Sequence, residues 1–237
     1  MANSTTLVMG HRGAPRRARE NTIEAFELAR EEGADGVELD VHLSRDGVLL
    51  VHHDAAIDGF GVLAEHPIDA IQGSFPWLPT LEAVLDACAG LLVNIEIKNS
   101  PRDADFDPYE AASQAVVDLL RRRDGVDRVL VSSFHLPSIN QVHALAPEIA
   151  TGYLAVMDPA PVDALVAAIA GGHRAIHPFF GVLADRGAVM VVEEAHTVGI
   201  QVNTWTVNEP EEIVRLAEAG VDAIITDVPA VAREALG

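Results

Sequence analysis

Cysteine is nearly absent from the sequence. Cys88 stands alone, so no disulfide can form within the chain, and a reducing compartment is expected. Positive charge is scarce too. Sixteen Lys and Arg face 36 Asp and Glu, which leaves a formal net charge of −20. A field of that sign repels nucleic acid and anionic bilayers, so nucleic acid is excluded as an expected partner. No apolar run approaches the ~20 residues needed to cross a bilayer, so no membrane insertion is expected. The opening MANSTTLVMGHRG carries no basic stretch and only a few consecutive apolar residues, which does not read as a signal peptide. A cytoplasmic protein is the expectation. Lysine is the last scarcity. The 16 basic residues include one lysine, Lys98, and it sits in the middle of an apolar run.

What is present is an ordinary globular mixture over 237 residues, 49% apolar and 22% charged, enough to bury a sizeable core. No linker or low-complexity tract divides the chain, so residues 1–237 read as one domain. One pattern recurs: a short β-branched run, a turn, an amphipathic helix, a glycine, then another run. The strands expected are Leu7–Gly10, Val37–His42, Leu92–Lys98, Val129–Ser132, Thr151–Ala155, Ala175–His177, Gln201–Thr206 and Ala223–Thr226. Helical patterns between them include Thr22–Glu32, Leu81–Ala89, Tyr109–Arg122, Val162–Ala170 and Glu209–Ala219. Gly33 and Gly220 stand where a glycine ends a helix. Eight strand–helix units in a chain of this size favour a single α/β domain of the (β/α)8 TIM-barrel type over an open doubly wound sheet. Ser44-Arg45-Asp46-Gly47, followed by Val48–His52, reads as a small hairpin inserted after strand two.

A buried parallel strand should read as continuously hydrophobic. Two of these strands do not. Glu38, Asp40 and His42 alternate with Val37, Leu39 and Val41, and Asn94, Glu96 and Lys98 alternate with Ile95 and Ile97. Side chains two apart share a strand face. Carboxylates crowded on an inward face are costly without a cation. An amphipathic edge strand is the bland alternative, and the wrapping helices argue against it. Glu38, Asp40 and Glu96 are therefore the candidate ligands of a hard divalent cation, Mg2+ or Ca2+, which takes oxygen donors.

Further candidates lie at strand ends, where a barrel carries its chemistry. His11 and Arg12 stand between Gly10 and Gly13 at the end of strand one. Asn21, with Glu24 three residues on, reads equally as a helix cap or as support for a site. In Val51-His52-His53-Asp54 neighbouring side chains point apart, so the two histidines do not both face a site. Trp205 fits either the core or the apolar wall of a small-ligand pocket.

Taken in order, His11-Arg12-Gly13, Glu20-Asn21-Thr22, Glu38-Leu39-Asp40, Asp46-Gly47, His53-Asp54, Leu78-Pro79-Thr80-Leu81, Asn94 to Lys98, Ser133-Phe134, Trp205 to Asn208 and Thr226 to Pro229 resemble the glycerophosphodiester phosphodiesterase family across nearly the whole chain. The resemblance implies a TIM barrel that hydrolyses a small-molecule glycerophosphodiester to glycerol 3-phosphate and an alcohol with a divalent metal. It implies that His11 and His53 are the acid–base pair, that Glu38, Asp40 and Glu96 hold the metal, and that Arg12 and Lys98 contact the phosphate. Trp205 is taken as a substrate-binding wall. The nucleophile is then the substrate's own glycerol 2-hydroxyl or a water. An Arg-Thr pair that often follows His-Asp in the family is missing from Asp54–Gly61, in a stretch that shapes the rim of the site.

Two other functions compete with this one. A phospholipase D-type activity on lysophospholipids needs an apolar rim for acyl chains. A non-enzymatic phosphoester-binding barrel would have lost a histidine or a metal carboxylate, and all of them are present.

Overall fold

The computed structural model describes residues 6–123, 126–157, 160–183 and 186–237. Residues 1–5 of the opening stretch, which does not read as a signal peptide, lie outside them. β1 (Leu7–His11) and β2 (Gly36–Leu43) are followed by a short hairpin strand, β3 (Leu49–Val51), and by a two-stranded ribbon, β4 (Ala56–Ile57) and β5 (Gly61–Val62). The parallel sheet resumes with β6 (Leu92–Ile97), β7 (Val129–Ser133), β8 (Ala150–Ala155), β9 (Ala175–Pro178), β10 (Gln201–Thr204) and β11 (Ala223–Thr226). Pairing runs β1-β11-β10-β9-β8-β7-β6-β2, and β1 also pairs with β2. That last contact closes an eight-stranded parallel barrel, a TIM barrel.

Helices cover its outside: α1 (Ile23–Glu31), α2 (Ile68–Ser74), α3 (Leu81–Ala87), α4 (Ala111–Arg121), α5 (Leu136–Leu145), α6 (Pro161–Gly171), α7 (Arg186–Thr197), α8 (Pro210–Glu218) and α9 (Pro229–Leu236). None of the described helices is long and apolar enough to cross a membrane.

Alternation along each strand sorts the core into two environments. Outward residues such as Val37, Leu39, Val41, Val93, Ile95 and Ile97 pack under the helices with Phe26, Leu81 and Val117. Inside the barrel, Met9, Ala223 and Ile225 meet Leu7 and Leu92 and, toward the mouth, Trp205. Burying these faces is the main stabilising term, roughly 25 cal/mol per Å² of apolar surface removed from water. The inward polar residues must be placed for another reason.

The hairpin expected after the second strand is present. β3 returns antiparallel to β2, pairing Val41 with Val51 and Leu43 with Leu49. Its turn is held by Ser44, whose hydroxyl donates to Asp46 and accepts from Val48 N. Several strand ends differ by a residue or two, and two of these bear on the site. β6 stops at Ile97, leaving Lys98 just beyond it, and β10 stops at Thr204, leaving Trp205 to bridge Phe179. The capping alternative for Asn21 is corrected. Thr22 is the N-cap of α1 and accepts from Ala25 N, while Asn21 sits in the left-handed region (φ 57°) with its side chain turned to the barrel. A short amide side chain tolerates that conformation better than most.

Candidate active site

The register of the sheet brings the inward polar residues together at the C-terminal mouth. His11 lies abreast of Glu38, and Asp40 lies abreast of Glu96. Glu38, Asp40 and Glu96 are all buried, and each offers a ligand oxygen within 4.8 Å of the others. Burial and the neighbouring Asp40 push the Glu38 carboxyl up, and burial does the same to Glu96. Burial alone would raise Asp40 as well, but Lys98 and Arg12 hold it below the usual carboxylate range. One oxygen of Asp40, Oδ1, is buried without a hydrogen-bond partner. A buried carboxylate oxygen without a hydrogen-bond partner, beside two carboxyls that resist ionisation, fits a hard divalent cation: all three donors are carboxylate oxygens.

Lys98 is turned inward and not toward solvent. Its Nζ donates to Glu96 Oε1 at 3.0 Å and lies 3.6 Å from Asp40 Oδ1, with 15% of the side chain exposed. Those carboxylates outweigh desolvation and hold the ammonium charged. Arg12 sits at φ 54°, a left-handed conformation that costs of order 1 kcal/mol in a non-glycine residue and clusters at functional sites. The turn delivers its backbone N–H to Glu38 Oε2 at 3.1 Å and its guanidinium to Glu20 at 3.0 Å and Asp40 at 3.2 Å. Gly13 is required beside it. At φ 90° any Cβ would meet the Ala25 backbone at 2.6 Å. Asn21 completes this corner by donating to Asp40 Oδ2 at 2.9 Å. Glu20 and Asn21 therefore both support the site.

The two histidines flank the cluster. His11 Nδ1 is 2.7 Å from Asp227 Oδ1, just past β11. Burial would lower the His11 pKa, but the Asp227 hydrogen bond and the nearby Glu38 carry it above the ordinary value. Asp227 is itself fixed by Asn208, which donates from Nδ2 and accepts the Asp227 N–H. His53 Nδ1 is 2.7 Å from Asp54 Oδ1. Burial pulls the His53 pKa down, and the cations Lys98 and Arg12 add to that against Asp40. His52 points elsewhere: its Nδ1 contacts the Asp54 backbone and its ring lies by Trp77.

Trp205 packs among aromatic neighbours just beyond β10. Its Nε1 donates to the His177 carbonyl at 2.7 Å, and its ring meets Phe134 and Phe179 at centroid distances of 5.4 and 5.6 Å. A cleft of about 170 Å3 lined by Glu96, Lys98, Ser133, Phe134 and His135 adjoins the carboxylates. A second cavity of about 280 Å3 opens at the opposite end, among Leu7, Leu92, Asn94, His177 and Asn203, away from both histidines.

Some site residues carried no role in the sequence reading. Asp227 was quoted only as part of a motif; its position one residue beyond a barrel strand was the available signal. Asn208 likewise falls within a motif of the resemblance, whereas Asp105 beside His42 gave no signal, because its importance lies in a contact across 63 positions.

Charges of both signs gathered at the mouth of a parallel barrel, with histidines on either side, define an enzyme of TIM-barrel type and not a packing core. The profile of the Glycerophosphoryl diester phosphodiesterase family matches residues 11–231. A glycerophosphodiester phosphodiesterase of Caldanaerobacter subterraneus is 33% identical, over 94% of this chain and 95% of that one. A crystal structure of a glycerophosphodiester phosphodiesterase from Thermotoga maritima superposes with a TM-score of 0.83 at 26% identity, covering 97% of each chain. An Oleispira antarctica phosphodiesterase in complex with the product sn-glycerol-3-phosphate gives a TM-score of 0.84 at 26% identity, over 98% of this chain and 97% of that one. The chain belongs to the glycerophosphoryl diester phosphodiesterase family and is a phosphoric diester hydrolase.

Proposed function

We propose that the chain hydrolyses glycerophosphodiesters to glycerol 3-phosphate and an alcohol, with a divalent cation held by Glu38, Asp40 and Glu96 and with His11 and His53 moving the protons. The observation that carries this is the arrangement of two histidines around one carboxylate trio, with His11 abreast of Glu38 and the segment of His53 bonded to the backbone of Asp40. The product bound to the Oleispira antarctica relative supports the substrate class.

When bound, the cation supplies charge neutralisation at the phosphoryl oxygens. Lys98 and Arg12 add fixed positive charge beside it, where an anionic diester gains most from preorganised donors. The environments of the histidines divide their work. His53, with a lowered pKa, is neutral near pH 7 and accepts the proton of the attacking hydroxyl. His11, whose pKa is raised against its burial by the Asp227 hydrogen bond and by Glu38, donates to the departing alkoxide. Positioned proton transfers of this kind contribute roughly 10²–10⁴-fold. Trp205, Phe134 and Phe179 provide an apolar wall for the carbon skeleton of the substrate.

A second reading, phospholipase D-type hydrolysis of lysophospholipids, is favoured by one observation. Phe134, Val156 and Met157, just past β7 and β8, expose apolar side chains near the mouth. One experiment separates the two: release of glycerol 3-phosphate from glycerophosphocholine, against release of choline from lysophosphatidylcholine, with and without Mg2+ or Ca2+. Faster turnover of glycerophosphocholine is expected. No release of glycerol 3-phosphate under any cation would overturn the first reading, and a preference for lysophosphatidylcholine would establish the second.

A further inference from the structure

We propose that His42 and Asp105 form a positioning pair that sets the place of His53; the proposal rests on the reading of His53 as a proton-transfer group. His42 follows Glu38 and Asp40 on the inward face of β2 but joins neither. Its side chain is 1% exposed, and both ring nitrogens are engaged. Nδ1 lies 2.6 Å from Asp105 Oδ2, and Nε2 lies 3.1 Å from the carbonyl oxygen of His53. Both partners accept, so both ring nitrogens donate.

His53 needs such help. It lies in an irregular segment between β3 and β4, its side chain is 34% exposed, and the carboxylate hydrogen-bonded to it, Asp54, is 72% exposed. An exposed pair of that kind holds geometry weakly. The backbone is pinned instead. Val51 N donates to Pro79 O, and His52 N donates to Asp40 O. His42 contributes a side-chain bond to His53 itself.

The other end of the pair is anchored as firmly. Asp105 belongs to the loop that starts at Lys98 and leads to α4. That loop is braced by Asn99, which donates to Asp107 O and accepts from Asp107 N, and by Asp103, which accepts from Ser100 N. His42 thus ties the loop that follows Lys98 to the segment that carries His53. Burying an ionisable pair is an expensive way to fill space, since apolar residues of similar volume pack at least as well. What the pair adds is a fixed position for the histidine.

The test uses the geometry of the amides. The amide nitrogen of Gln reaches the place of Nε2, whereas that of Asn reaches the place of Nδ1. With glycerophosphocholine at saturating cation, His42→Asn is expected to lower kcat by about 10–100-fold, the scale for removing a group that orients a catalytic side chain. KM should stay within about two-fold, while His42→Gln recovers most of kcat. Asp105→Asn should show a smaller loss of the same kind. In the double variant His42→Asn/His53→Ala, no loss beyond His53→Ala is expected, because two residues acting through one group are not additive. Mn2+ affinity and melting temperature are measured alongside. Wild-type kcat in His42→Asn, equal losses in Asn and Gln, additive losses in the double variant, or a fall in Mn2+ affinity in step with kcat would each overturn the proposal. Wild-type kcat in His53→Ala overturns the reading of His53 itself, and the proposal with it. An inactive His53→Ala beside an unimpaired His42→Asn overturns the positioning pair alone.

Discussion

His11 Nδ1 and Asp227 Oδ1 lie 2.7 Å apart although 216 positions separate the two residues. The pairing of β1 with β11 brings the first strand of the barrel beside the last. It gives His11 a carboxylate partner that raises its pKa, while the His53 pKa is lowered. The two shifts have opposite sign, so there is a pH range around the ordinary imidazole value in which His11 is protonated and His53 is neutral.

The first prediction concerns that range. Activity against pH should be bell-shaped at saturating cation, with the acid limb set by His53 and the alkaline limb by His11. Asp227→Asn removes the charge that raises His11, so the alkaline limb should move to lower pH and kcat at pH 8 should fall. An alkaline limb that stays in place would separate Asp227 from proton transfer.

Cation dependence follows from the crowding of Glu38, Asp40 and Glu96. Dialysis against EDTA should abolish turnover, and Mg2+ or Ca2+ should restore it. Saturating cation should also raise the melting temperature, because it binds the folded chain and not the unfolded one. Full activity in excess chelator would sink the assignment of the trio.

Alternation along the chain makes neighbouring histidines unequal. His53→Ala should lose at least about 10² in kcat with the fold intact. His52→Ala should lose far less, since its ring is engaged with the Asp54 backbone and Trp77. A greater loss at His52 would reverse the assignment within the pair.

Lys98→Met keeps the aliphatic stem and removes the ammonium that donates to Glu96. Losing one charge-stabilising donor should cost roughly 10²-fold or more in kcat/KM on a glycerophosphodiester. A change of less than a few-fold would exclude Lys98 from phosphate contact. The melting curve serves as the control for folding.

Much of this architecture was legible before the structure. The eight strands fall within a residue or two of the β-branched runs, because parallel strands buried under helices must be apolar and the exceptions announce themselves. Glu38, Asp40 and Glu96 were visible for that reason: period-two placement of acids in strands that should be hydrophobic has few benign explanations. Lys98 stood out by its scarcity, although its inward turn depends on Glu96 and Asp40 being within reach. What could not be read depends on long-range contacts. Asp105 gains its meaning from His42 across 63 positions, and Asp227 from His11. Asn21 looked like a cap because local spacing allowed it. Only the backbone turn at φ 57° shows that its amide faces Asp40 and that Thr22 does the capping.

The barrel divides its labour by sector. The carboxylates, Arg12 and His11 rise from β1 and β2 and from the adjoining β6, with Lys98 just beyond it. His53 follows the hairpin of β2 and β3. The opposite arc, from β7 to β10, offers Phe134, Phe179 and Trp205 at its strand ends. The loops beyond β7 and β8 hold neither His11 nor His53 nor their carboxylate partners Asp227 and Asp54, whereas the loop beyond β10 carries Asn208, which fixes Asp227. A line of relatives could change its leaving alcohol by replacing the loops beyond β7 and β8, and an engineer could graft the loop after β7 or β8 from one barrel to another while leaving the sector that holds the carboxylates and His11 in place.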